Sequence, residues 1–130
     1  MKLVEQERIF PFSVSKIWEI ISDLSRCDWV PGVKKITLEN DTRIFQMDGM
    51  GDLVEKIIKC DEESKELHYS AIKTQAPINH HLAKIKLEEI DGDTKFLWTT
   101  EIDPAIYADA IEKGMTDSLD QLSTVLSTNP

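Results

Sequence analysis

Apolar residues follow two different periods along the chain. Residues 2–10 read as a first strand, which Pro11 ends. Behind it Val14, Ile17, Trp18 and Ile21 fall at i, i+3, i+4 and i+7, one face of a helix that Ser13 is suited to cap. Asp23 can cap a second short helix over residues 24–28. Trp29-Val30-Pro31-Gly32 breaks it, because Pro31 restricts Val30 and Gly32 permits a turn. From Val33 the period becomes two. Strands are predicted over residues 34–39, 42–48, 52–60, 65–73, 79–89 and 94–102. Asn40-Asp41, Gly49-Met50-Gly51, Asp61-Glu62-Glu63-Ser64 and Asp91-Gly92 supply turns between them, Asp91-Gly92 being the strongest hairpin signal. The helical period then returns. Ile111, Met115, Leu119, Leu122 and Leu126 are spaced by four or three, with Pro104 near the start and Asp103 as a candidate cap. A helix over residues 105–126 spans about 33 Å. Gly114 interrupts it at a cost of about 1 kcal/mol against Ala.

The order strand, two short helices, six strands, long helix defines an α+β fold: a seven-stranded curved antiparallel sheet wrapped around a long C-terminal helix. The single apolar face of such a meander is covered only by helices. A twisted, curling sheet under a straight helix leaves space between them, and that space is the functional clue. All of residues 1–130 read as one domain.

Composition narrows the function. With 130 residues and 41% hydrophobic side chains the chain has enough apolar surface for a core without disulfides or metals. A net charge of −9 opposes nucleic acid or an anionic membrane as a partner. No apolar stretch approaches the roughly 18 residues of a membrane span, so stable membrane insertion is not expected. Cys27 and Cys60 lack metal-ligand spacing and read as reduced thiols, which, with no apolar leader at the N-terminus, points to the cytoplasm. His80 and His81 are adjacent on a strand, face opposite ways and cannot share an ion; no metal and no cofactor are expected. The oligomeric state, monomer or homodimer, stays open.

Strand parity nominates the residues around the predicted space. Ala83, Ile85 and Leu87 face inward, which also turns Asn79 and His81 in and His80 out. Phe96, Trp98 and Thr100 face in, as do Leu67, Tyr69 and Ala71, leaving His68 outside. Glu55 is ambiguous. It shares a face with Leu53 and Ile57, but Val54, Ile58 and Cys60 make the opposite face equally apolar. Inside, desolvation would raise its pKa and make it a general base; outside, it is a solvated partner for a lysine. His81 is either an acid or base at a cavity mouth or a polar rim residue. Trp29 and Pro31 form either a gate or an aromatic plug.

Four segments resemble a known family. Phe10-Pro11-Phe12-Ser13-Val14-Ser15-Lys16-Ile17-Trp18 is similar to its strand-to-helix entry, and Asp28-Trp29-Val30-Pro31-Gly32-Val33 to its Trp-x-Pro-Gly turn. Leu53-Val54-Glu55-Lys56-Ile57 resembles a strand carrying a Glu. Tyr69-Ser70-Ala71-Ile72 with Pro77-Ile78-Asn79-His80-His81 resembles a Tyr-containing strand and the turn that follows. The family is the START/Bet v-allergen (SRPBCC) superfamily, within it the polyketide cyclase/dehydrase and lipid-transport group. The resemblance implies a helix-grip fold with a deep apolar pocket. Its members bind lipids, polyketides, hormones or quinones, and some are enzymes. The expected function is therefore binding of a small hydrophobic or amphipathic ligand by Trp29, Pro31, Tyr69, Ala71, Pro77, His81, Phe96, Trp98, Thr100, Ile111, Met115 and Leu119. The alternatives are a cyclase/dehydratase-like enzyme using Glu55 or His81, and a protein-interaction domain with a vestigial cavity.

Overall fold

Strand β1 (Lys2–Phe10) stops at Pro11, and helix α1 (Val14–Ile21) begins behind Ser13. In the computed structural model, which describes residues 1–128, the Ser13 hydroxyl accepts from the Lys16 N–H at 3.2 Å. Ile17, Trp18, Ile20 and Ile21 are the buried face of α1. The second short helix expected over residues 24–28 does not form. The Asp23 carboxylate accepts from both the N–H and the hydroxyl of Ser25, while its carbonyl accepts from the Arg26 N–H. Arg26 then clamps Asp28 with bonds of 2.7 and 2.9 Å, and Val30 N–H returns to the Cys27 carbonyl. Local bonds of this kind compete with helix, and here they fold the segment into successive turns.

The remaining strands are β2 (Ile36–Glu39), β3 (Thr42–Met47), β4 (Gly51–Asp61), β5 (Glu66–Lys73), β6 (His80–Ile90) and β7 (Asp93–Asp103). They form one seven-stranded antiparallel sheet, as the pattern predicts, and its order is β1-β7-β6-β5-β4-β3-β2. Six strands meander, and β1 returns to pair with β7 along its whole length. Turn chemistry sets the registers. Asp91 and Gly92 both take positive φ, 51° and 86°, as a two-residue type I′ hairpin requires. Between β4 and β5 the register shifts twice, leaving Ile58 and Ile72 without partners. Such bulges bend and twist a strand, and these two put their extra isoleucines on the exposed side.

Strand β6 starts one residue later than expected. Asn79 is exposed rather than inward, with its backbone N–H on the Asp103 carbonyl and its amide donating to the Asp103 carboxylate. Asp103 consequently closes β7 and caps nothing. A 3-10 turn (Ala105–Tyr107) intervenes before α2 (Ala108–Thr128), a helix about 31 Å long. Gln6 of β1 donates to the Glu112 carbonyl and the Thr116 hydroxyl, and Arg8 pairs with Asp120 at 2.9 Å, so β1 fastens the helix along its flank.

Helix α2 has two different halves. Leu119, Leu122, Val125 and Leu126 are buried in one cluster with Phe10, Ile17, Ile21, Phe96 and Ile102. Each such side chain contributes about 1.5–3 kcal/mol on burial. The N-terminal half presents Ala110, Ile111, Gly114 and Ser118, which are too small or too few to reach the bent part of the sheet. Among the described residues no helix is long and apolar enough to cross a membrane.

Candidate functional site

The N-terminal half of α2 and the bent β3–β5 region flank a partly open cavity of about 220 Å³. Two features of the fold open it. The β5–β6 ladder ends at Tyr69 and Ala83. Beyond that point side chains replace it: the Ser70 hydroxyl donates to the His81 carbonyl, and the Ala71 N–H donates to His81 Nδ1 at 2.9 Å. On β7, Phe96 fills the closed end edge-on to Phe10 at 5.8 Å, whereas Trp98 and Thr100, further along the same face, meet empty space. Trp29 shuts the loop side, packed against Trp98 with ring centres 5.9 Å apart. The loop that carries it is held by a 3.0 Å bond from the Asp48 N–H to the Gly32 carbonyl.

Glu55, Trp29, Tyr69, Ala71, His81, Trp98, Thr100, Ile111 and Met115 line this cavity; Pro31, Pro77, Phe96 and Leu119 do not. Pro31 and Pro77 are exposed, and it is their neighbours Val30, Ala76 and Ile78 that face inward. Phe96 and Leu119 point the expected way but lie too far along β7 and α2, within the solid core.

The parity of Glu55 is settled by its cross-strand partner. Arg43 stands directly opposite it, and Arg43 Nη2 donates to Glu55 Oε1 at 2.7 Å, with both side chains at least 85% buried. The sequence reading missed Arg43, because a charged residue on an alternating strand is normally assigned to water. The signal was available: folding the hairpin about Gly49 brings residues 43 and 55 together, with opposite charge. Burial pushes the Glu55 carboxyl above its ordinary pKa, and this outweighs the opposing pull of Arg43. The guanidinium also lies 4.9 Å from the centre of the Tyr69 ring. Burial, and then Glu55, push the Tyr69 phenol well up, so it stays neutral.

His81 faces in and His80 out, the latter 3.0 Å from Glu101. Because His81 Nδ1 accepts from Ala71, the neutral ring carries its hydrogen on Nε2. Burial, helped by His80, lowers its pKa to about 4. At neutral pH His81 therefore offers an N–H donor and has no spare lone pair for a base. Arg43 Nε is buried in the same wall without a hydrogen-bond partner among the described residues, and the Trp98 indole N–H lies against the Tyr69 phenol. Among the described residues no three His, Cys, Asp or Glu side chains are grouped as metal ligands. A second hollow, about 390 Å³, lies between α1 and the β4–β5 turn. It is an open, mostly polar surface depression at Ser15, Glu19, Ser22, Asp23, Glu62 and Lys65, with Trp18 at its base, and it encloses nothing.

The family described as polyketide cyclase/dehydrase and lipid transport matches residues 1–127. No curated protein is matched. Similar solved structures include XoxI from Bacillus cereus, 16% identical with a TM-score of 0.89 over 98% of this chain and 97% of that one. A protein of Thermobifida fusca is 22% identical with a TM-score of 0.79, over 97% and 93% of the two chains. Ara h 8.0201 is 15% identical with a TM-score of 0.80, over 98% and 99%. At these identities the likeness is one of fold, and it is to the Bet v-type helix grip. The chain belongs to the polyketide cyclase/dehydrase and lipid-transport family of the START/Bet v-allergen superfamily.

Proposed function

We propose that this protein binds one small, largely apolar molecule in the cavity between α2 and the sheet. The observation that carries the reading is a partly open cleft with mostly apolar walls and a few polar side chains among them, the usual build of a ligand site. At about 220 Å³ it lies below the roughly 300–1,000 Å³ usual for ligand sites, which suits a compact one- or two-ring compound. The test is to fill it. A Cβ added to Gly114 would meet nothing within 4 Å, so Gly114→Leu projects into the space. Titration calorimetry with a panel of one- and two-ring compounds should find binders of the wild type that the folded variant takes at least about tenfold more weakly. Absence of any binder, or binding indifferent to Gly114→Leu, would overturn the reading.

A second reading, acid–base catalysis, has one observation in its favour: Glu55, Tyr69 and His81 share the cavity wall. The carboxylate of Glu55 is then the base that removes a proton next to a substrate carbonyl, and His81 Nε2–H and Tyr69 O–H are donors to the oxygen that gains charge. On this reading Glu55→Gln abolishes turnover of a poly-β-carbonyl compound and leaves its binding intact. Unchanged turnover removes Glu55 from the chemistry.

A further inference from the structure

The sheet has two edge strands, and they are finished differently. Along β1 the edge is flanked by α2, which Gln6 and Arg8 hold in place. Along β2 the outer side has no neighbouring strand, and among the described residues no backbone hydrogen bond leaves from it. Which groups point outward follows from the adjoining hairpin. The Asp41 carbonyl accepts from the Ile57 N–H of β4. Backbone groups alternate along an antiparallel strand, so Arg43 and Phe45 also face β4, while Thr42 and Ile44 face their β2 partners Glu39 and Thr37. Ile36 and Leu38 therefore turn their N–H and C=O groups to the free edge.

A second copy laid antiparallel, with its two-fold axis at Thr37, meets these groups in register. Ile36 of each copy then faces Leu38 of the other, and each such pair exchanges both of its hydrogen bonds. The same register sets Lys35 opposite Glu39 at both ends of the ladder. Among the described residues neither side chain has an ion-pair partner within its own chain. Moving the axis to Ile36 or Leu38 sets Lys35 or Glu39 opposite Thr37 and loses that match. A lysine beside a free edge ordinarily blunts it against added strands. Here the strand's own glutamate answers the lysine, and a second copy is the partner that supplies it. On the inner face Leu38, 47% exposed in the single chain, is covered by Ile36 of the second copy. We infer that two copies of this chain associate through antiparallel β2–β2 pairing centred on Thr37, which joins their sheets into one. Four residues per edge bury far less than the about 1,200 Å² of a stable interface, so the dimer forms only at high concentration.

Translational diffusion measured by NMR should slow from the monomer value toward that of a dimer as wild-type protein approaches about 1 mM, the range of a weak association. Glu39→Lys and Lys35→Glu each change an exposed side chain and put like charges at both ends of the ladder. Each variant alone should associate severalfold more weakly at low salt. An equal mixture of the two should regain wild-type association, because each then carries the charges that the other needs. Amide hydrogen exchange should slow with concentration at Ile36 and Leu38 and stay constant at Thr37 and Glu39, whose N–H groups already face β3. A wild type that remains monomeric throughout overturns the inference. So does a dimer that both variants leave unchanged, or a mixture that associates no better than its components, since either result puts the contact elsewhere.

Discussion

His81 stands where burial and a backbone contact act in the same direction. Protonating its ring places a charge in the cavity wall, and it also puts a hydrogen on Nδ1, which faces the Ala71 N–H at 2.9 Å. Both effects keep it neutral, with its pKa near 4 against 6.5 in the unfolded chain. The folded state therefore binds this proton less well, so the stability His81 contributes is present above about pH 6.5 and is lost as pH falls toward 4. Its size is at most about 3 kcal/mol. His81→Asn keeps an acceptor oxygen where Nδ1 lies and does not titrate. Urea unfolding at pH 7 and pH 4.5 should show a smaller loss for the variant than for the wild type, and identical losses would contradict the account. Arg43 and Glu55 make a second residue-scale case. Arg43→Met strands a buried carboxylate and should cost about 3 kcal/mol or more, while adding Glu55→Met should restore part of that loss. Additive losses in this cycle would show that the pair is not coupled. Glu55 and Arg43 also mark where residue-level reading stopped. Alternation alone left Glu55 undecided because both faces of β4 are apolar, and only pairing β3 with β4 places both charges inside.

At the scale of elements, what the sequence made legible follows from how local the determining forces are. The Ser13 cap, the Asp91-Gly92 hairpin and the apolar stripe of α2 are set within a few residues, and each is found as read. The segment after α1 was misread because Asp23 has two local options, capping a helix or closing a turn on Ser25, and Arg26–Asp28 favours the second. The bulges at Ile58 and Ile72 left no mark in the pattern, since an extra apolar residue looks like continued alternation. The same limit explains Phe96 and Leu119: periodicity tells which way a side chain points, not whether core or cavity meets it there. Gly114 turns this into a prediction. It sits inside α2 with open space beside it, so Gly114→Ala should recover helix propensity without a clash and stabilise the protein by about 1 kcal/mol. Chemical denaturation checks it, and a loss of stability would mean that the helix has no slack at that point.

For the molecule as a whole, the size of the cavity is a filter. About 220 Å³ between α2 and the sheet lies below the roughly 300–1,000 Å³ usual for ligand sites, so the space favours a compact occupant over a sixteen-carbon chain. The walls leave little room to grow. Trp29 and Trp98 are packed together on one side, the C-terminal half of α2 is locked into the core and tied to β1 by Arg8 and Asp120, and Gln6 ties the N-terminal half at Glu112 and Thr116. Expansion would have to come from the N-terminal half of α2 and the splayed ends of β5 and β6, at the expense of their remaining contacts. A two-ring ligand that fits should therefore stabilise the fold by mass action, about 2.7 kcal/mol at a hundredfold excess over its Kd, which raises the Tm of a chain this size by several degrees. Palmitate at the same concentration should leave Tm unchanged. A scan of Tm against ligand size, from one-ring compounds to long-chain fatty acids, should rise and then fall to zero once the occupant outgrows the space between α2 and the sheet. A Tm gain for palmitate equal to that of the two-ring compounds would mean that the sheet opens on binding, and that shape rather than volume is what the cavity selects.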